Sequence, residues 1–204
     1  MQPADRPAPG LLVVLNYAFL MAGVAVIAAI LTAAAFMQYA HGELPCPLCL
    51  LQRAAMLGVC FGMLQNLRRE FSGHNTGISL VFAVLLLIIA ARQTLLDIYP
   101  RPGHEYVGSA VLGLHMPVWS VLIALVLISA LALRLAILGG DSHMRGARLA
   151  DYPAAARLAD GLALYVIALA AVNLVSVILQ CGLGQCHTFG YVLLGGPDAP
   201  PSGQ

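Results

Sequence analysis

Five long apolar runs, separated by short polar breaks, constrain this chain more than any other feature. A bilayer core of about 30 Å is crossed by roughly 20 apolar residues in helix, because every backbone N–H and C=O inside lipid must find a partner within its own segment. Runs that satisfy this lie near residues 11–40, 48–67, 78–96, 118–138 and 162–180. The first is long enough to tilt or to project beyond the lipid. The second is the least apolar, with Gln52, Arg53, Gln65 and Asn66 at its ends. Only 9% of the residues are charged and 60% are hydrophobic, whereas soluble domains carry roughly 25% charged residues. The expectation is a single all-α integral membrane domain over residues 1–204, an up-down helical bundle ending in a tail at 181–204. The first run exceeds the roughly 7–15 residues of a signal-peptide core and no clear small-residue cleavage site follows it, so it is expected to stay as a span.

All ten basic residues are arginine. The chain therefore has no polybasic lysine tail for nucleic acid, and a net charge of +1 points to no particular partner. Their placement sets an orientation, because arginine accumulates on the cytoplasmic side of membrane proteins. Arg6, the Arg68–Arg69 turn, and the group Arg134, Arg145, Arg148 and Arg157 together hold seven of the ten. With these inside, an odd number of spans puts the Cys46/Cys49 loop, the 99–117 loop and the C-terminal tail together on the outer side. Cys181 and Cys186 then share a face with Cys46 and Cys49, at an oxidising surface where disulfides persist. Cys60 lies in the second span, eleven residues beyond Cys49 and roughly 16 Å deeper. That depth excludes a bridge between them, and Cys60 reads as a small buried apolar residue.

The stretch ELPCPLCLLQR opens the second span. Pro47 is favoured at the first position of a helix, so the helix is expected to begin inside the Cys46-Pro-Leu-Cys49 motif. Cys49 then falls in the first turn and Cys46 at or just before the cap. The unpaired N–H groups of a first turn favour a thiolate, which makes a better leaving group and a better partner in thiol–disulfide exchange. Arg53 lies one turn below Cys49 on the same face. A guanidinium at the membrane boundary is costly to desolvate, so it either stabilises an anionic sulfur or cofactor oxygen or snorkels to headgroups. The second pair, Cys181-Gly-Leu-Gly-Gln-Cys186, spaces its thiols with a glycine-containing loop that can close without strain. Alone it reads as a staple. Facing a second dithiol, it reads as one half of an electron relay.

With PCPLCLLQR at the start of the second span, RQTLLDIYP closing the third and VGSAVLGLHMPVWS leading into the fourth, the chain resembles the disulfide-bond formation protein B (DsbB) family over roughly residues 10–138. These are bacterial inner-membrane thiol oxidases of four spans. The resemblance implies a multi-pass inner-membrane protein, N-terminus cytoplasmic and C-terminus periplasmic, that reoxidises a DsbA-like periplasmic thiol oxidase and passes the electrons to ubiquinone or menaquinone. It implies that Cys46 and Cys49 form the quinone-linked pair, with Arg53 beside the quinone, Cys49 contacting its ring and Cys46 exchanging with the second pair. Two departures stand out. The 99–117 loop, where the family carries its second pair, has no cysteine, and a fifth span is present. The economical reading is that the fifth span carries Cys181 and Cys186 back to the outer face to take over that role.

Arg92 and Gln93, at the outer end of the third span, lie at the depth of a quinone headgroup. Gln93 is placed to hydrogen-bond a quinone carbonyl, while Arg92 has the alternative of snorkelling. The segment before Trp119 is expected to lie on the membrane surface, with His115 either lining the quinone pocket or, as is commoner for a lone histidine there, in interfacial packing. Two rival readings remain at this point. Cys46, Cys49, Cys181 and Cys186 have the soft-ligand set of a four-cysteine zinc site, and both pairs also suit structural disulfides in a non-enzymatic membrane protein. The C-x-x-C-H signature of haem attachment is absent.

Overall fold

In a computed structural model, residues 10–42, 44–69, 71–99, 113–138 and 149–182 are described. They form five long helices: α1 (Leu11–Ala40), α2 (Pro47–Arg68), α3 (Gly73–Ile98), α4 (Met116–Leu138) and α5 (Pro153–Cys181), the last preceded by a short 3-10 turn at Leu149–Asp151. All five are long and apolar enough to cross a membrane. The protein is an all-α membrane protein, as the hydropathy predicts.

The helices overrun the apolar stretches where local chemistry continues the backbone. Ser72 caps α3 by accepting from the His74 N–H at 3.2 Å, so the helix starts five residues before the apolar run. Pro153 opens α5 at a position where the missing N–H costs nothing, and two polar turns bearing Arg157 and Asp160 precede the apolar stretch. The described residues before α5 form the 3-10 turn Leu149–Asp151. Residues 139–148, and the first half of the surface segment expected before Trp119, lie outside the described residues, while Met116–Val118 already belong to α4.

Side-chain bonds give the direction of each helix. At one end Arg53 bonds Gln38, Gln93 meets Cys46, and Gln180 bonds the Pro45 carbonyl. This end gathers the C-termini of α1, α3 and α5 and the N-terminus of α2. At the other end Arg134 donates to Asn16 Oδ1 at 2.6 Å and to Thr76 Oγ1 at 3.0 Å, while Arg68 pairs with Asp160 across an exposed 3.3 Å ion pair. That end gathers the opposite termini, including the C-terminus of α4. The five helices therefore run up and down in alternation.

α2 is the centre. Half of its span is buried, against 17–28% for the others, and it packs on α1, α3 and α5. The α2–α3 approach is the closest fit in the bundle's core. Gly58 and Gly62 face α3, where a Cβ on Gly58 would enter the Phe82 ring and one on Gly62 would enter the Asn75–Ser79 backbone. Small residues four apart let membrane helices approach to backbone contact, and Ser79 Oγ exploits this by donating to the Val59 carbonyl at 3.0 Å. Leu20, Val24, Ile27, Val59, Met63 and Leu86 fill the space around this contact.

Candidate functional site

The site begins at the N-terminus of α2. Cys46 is its cap, with extended backbone, and its sulfur accepts from the Cys49 N–H at 3.1 Å. Pro47 occupies the first turn, as its chemistry predicts. This turn brings the two Cα atoms to 5.1 Å, and Cys46 and Cys49 are joined in a disulfide. Cys46 is buried and Cys49 half-buried.

Gln93 of α3 lies directly against this bridge. Its Nε2 is 3.2 Å from Cys46 Sγ and 3.5 Å from Cys49 Sγ. Its Oε1 accepts from Gln52 Nε2 at 2.7 Å. The same oxygen is 3.9 Å from Cys49 Sγ, which is proximity alone, since a disulfide sulfur carries no proton to donate. Arg92, one residue earlier and about 100° round the helix, is exposed. The neighbours at 92 and 93 thus have different surroundings.

Arg53 turns toward α1. Its guanidinium donates to Gln38 Oε1 at 2.5 Å and to the Ala34 carbonyl at 3.2 Å. It also lines a cleft among α1, α2 and α5 with Leu31, Ala35, Leu57, Leu169, Val172 and Asn173. The Asn173 Oδ1 is buried and has no hydrogen-bond partner among the described residues. The Arg53 guanidinium and the Asn173 amide thus set two polar groups on otherwise apolar walls. Arg53 and Gln93 therefore flank α2 on different sides, Arg53 at the cleft and Gln93 at the sulfurs.

α5 ends at the same site. Gln180, fully buried, donates to the Pro45 carbonyl at 2.6 Å. The next residue, Cys181, is buried and disulfide-bonded. Cys186 lies outside the described residues. The α5–α1 contact is fixed lower down by Tyr39–Ser176 and Thr32–Tyr165 hydroxyl pairs, each at 2.6 Å. Cys60 is fully buried and free, far along α2 from the bridge.

Comparison with known proteins bears on this arrangement. The family described as disulfide bond formation protein DsbB matches residues 16–106. A disulfide bond formation protein B of Cupriavidus metallidurans is 27% identical over 146 residues, covering 57% of this chain and 89% of the relative. One from Chromohalobacter salexigens is 32% identical over 112 residues, covering 49% of this chain and 62% of the relative. The match to the DsbB family thus spans residues 16–106, somewhat under half of the chain. No solved structure matches it.

This similarity and the five apolar helices support a multi-pass membrane protein of disulfide bond formation. The DsbB-matching region contains Cys46, Cys49, Arg53, Arg92 and Gln93, and ends before α4, so α5, Cys181 and Cys186 all lie beyond it. Sequence reasoning about the site passed over Gln38, Gln180 and Asn173, and noted Gln52 only as a polar end of its span. Each is an amide inside or at the edge of an apolar run, and polar side chains there mark buried contacts or sites.

Proposed function

We propose that this protein is a protein-disulfide:quinone oxidoreductase, reoxidising a DsbA-like periplasmic dithiol protein in the bacterial inner membrane. Electrons enter at Cys181/Cys186, move to Cys46/Cys49, and leave to ubiquinone or menaquinone held at the Arg53 cleft. The observation that supports the relay is the Gln180–Pro45 hydrogen bond, which ties the residue before Cys181 to the residue before Cys46. In the exchange step a thiolate of the C-terminal pair bonds to Cys46 Sγ as the Cys46–Cys49 bond breaks, leaving Cys49 as a thiolate. The second C-terminal thiolate then closes Cys181–Cys186 and releases Cys46. Two electrons are transferred, and the bridge is regenerated by passing them on.

A quinone supplies a lipid-soluble acceptor for two electrons and two protons. Arg53 would donate to one of its oxygens, and Leu31, Leu57, Leu169 and Val172 would line its apolar part. Orientation follows the arginine distribution, with the Cys46 end periplasmic and the Arg134 end cytoplasmic. The bridge itself weighs against the zinc reading, because joined sulfurs offer no thiolate ligands.

The test is reduction of the purified protein, anaerobic addition of ubiquinone, and alkylation with mass spectrometry at each cysteine. Cys46–Cys49 closes first and Cys181–Cys186 follows, and Arg53→Met slows the first closure by about tenfold or more, the scale of one lost charged hydrogen bond. If Cys46 and Cys49 stay reduced with quinone present, the oxidase reading fails and the structural-disulfide reading replaces it.

A further inference from the structure

Two buried amides converge on the Cys46–Cys49 bridge from beside and across α2. Gln52 donates to Gln93 Oε1 at 2.7 Å, and Gln93 Nε2 faces both sulfurs at 3.2 and 3.5 Å. The side chains are 6% and 5% exposed, so water does not compete for either. An amide has one acceptor oxygen and one donor NH2. With the oxygen occupied by Gln52, the donor end is aimed at the sulfurs. The opposite arrangement would set an oxygen lone pair against a bridge that has no proton to give.

The value of this donor changes as the bond breaks. A disulfide sulfur is a weak, neutral acceptor, whereas a thiolate carries a full charge. Hydrogen bonds to ionised groups are roughly twice as strong as neutral ones. An interaction that is stronger after bond cleavage than before it lowers the free energy of cleavage. Arg53 is one turn below Cys49 but its guanidinium is directed to Gln38 and Ala34, so the neutral amide approaches the sulfurs from a different side.

We infer that Gln93 is a catalytic hydrogen-bond donor to the thiolate released from the Cys46–Cys49 bridge, and that Gln52 is the positioning residue that aims it. The inference rests on the reading of Cys46–Cys49 as an exchanging pair. An incoming thiolate of a dithiol bonds to Cys46 Sγ, the Cys46–Cys49 bond breaks, and its electron pair stays on Cys49 Sγ, where the Gln93 N–H stabilises it. The incoming dithiol ends as a disulfide, having lost the two electrons that Cys46 and Cys49 gained. When the pair closes again the charge leaves the sulfur, and the donor returns to its weaker contact.

The test uses the full chain in quinone-free nanodiscs, equilibrated with dithiothreitol or glutathione buffers, acid-quenched, and read by alkylation and mass spectrometry at Cys46 and Cys49. Gln93→Met fills similar space without a donor. It is expected to lower the equilibrium constant for reduction of the bridge about tenfold, or about 30 mV for a two-electron couple, and to slow alkylation of Cys49 at fixed pH by a similar factor. Gln52→Met leaves the donor in place but unaimed, and is expected to give a smaller shift of about threefold. The double variant is expected to match Gln93→Met alone, because a residue that acts through another contributes nothing once the other is gone.

The failures separate cleanly. If the wild-type bridge resists every buffer, the exchanging-pair reading falls and this inference with it. If the wild type exchanges but Gln93→Met leaves both constant and rate unchanged, Gln93 is a packing residue and the assignment is overturned while the reading stands. Should Gln93→Met fail to fold, Gln52→Met decides: an unshifted potential rejects the dyad.

Discussion

Replacing Gln180 by Met tests whether the end of α5 serves the bridge or merely packs beside it. Gln180 is fully buried and its Nε2 donates to the Pro45 carbonyl at 2.6 Å. Pro45 is itself buried, so the substitution leaves a carbonyl without its donor where water does not reach it. Stranding such a group costs about 1–3 kcal/mol. The strain can be relieved by letting the end of α5 move off the Cys46 cap, and a shift of that size lowers the docked population by about 5- to 150-fold. In the proposed relay, exchange between the C-terminal pair and Cys46 is intramolecular, so its rate follows the docked population. The expectation is a slowing of about tenfold to a hundredfold in electron transfer from Cys181/Cys186 to Cys46/Cys49. It is measured by reducing the protein, pulsing with quinone, and quenching with acid at millisecond to second intervals before alkylation. Quinone-driven closure of Cys46–Cys49 stays at the wild-type rate, because Gln180 does not line the Arg53 cleft. An unchanged second closure, with the variant folded, refutes the docking argument. Equal slowing of both closures refutes it too, since that would place the effect in the quinone half.

Arg134→Met removes a 6%-exposed guanidinium that bonds Asn16 and Thr76 and stacks 4.2 Å from the centre of the Phe71 ring. It is expected to cost about 2–4 kcal/mol, seen as a lower Tm in detergent with thiol exchange unaltered; an unchanged Tm would show the cluster to be dispensable. Gly62→Ala is expected to destabilise by about 1–3 kcal/mol, because its Cβ meets the Asn75 carbonyl and the Ser79 nitrogen and only a backbone shift relieves the clash. Gly23→Ala meets only the flexible end of Met63, and with alanine's better helix propensity it is expected to be neutral or mildly stabilising. If the two alanines behave alike in thermal unfolding, close α2–α3 packing is not what holds the bundle.

The spans were legible because lipid imposes a length and a polarity that few other structures share. Their ends were less so. The starts of α3 and α5 depend on the Ser72 cap and on Pro153, in segments where hydropathy has already fallen. The cap at Cys46 was legible from Pro47, a residue whose own geometry specifies its position. At the site, sequence position gives the depth of a side chain well and its neighbour on the next helix poorly. Gln93 was recognisable as a polar group near headgroup depth, yet its contact with the sulfurs depends on the rotation and closeness of α3 against α2, set by Gly58, Gly62 and Phe82. Gln180 offered only the signal of a buried amide at the end of an apolar run, and its partner, the Pro45 carbonyl, has no side-chain signature at all.

The placement of α5 gives physical content to the chain's departure from the four-span pattern. α3 and α4 pack on each other and α3 packs on α2, whereas α5 packs on α2 and α1. The surroundings of the bridge therefore divide. On one side α3 contributes Gln93, within the DsbB-matching residues. On the other, α5 contributes Asn173 to the Arg53 cleft and Gln180 to the Pro45 carbonyl, both beyond them. A helix added only to restore parity would need to reach the correct face of the membrane and nothing more. α5 instead spends a fully buried amide on the backbone of the residue that precedes Cys46. An amide in that position is costly to bury unless its bond is made, so the contact holds the two ends at a defined separation. That constraint supports a helix whose terminus works with the bridge, and it is the constraint that Gln180→Met removes.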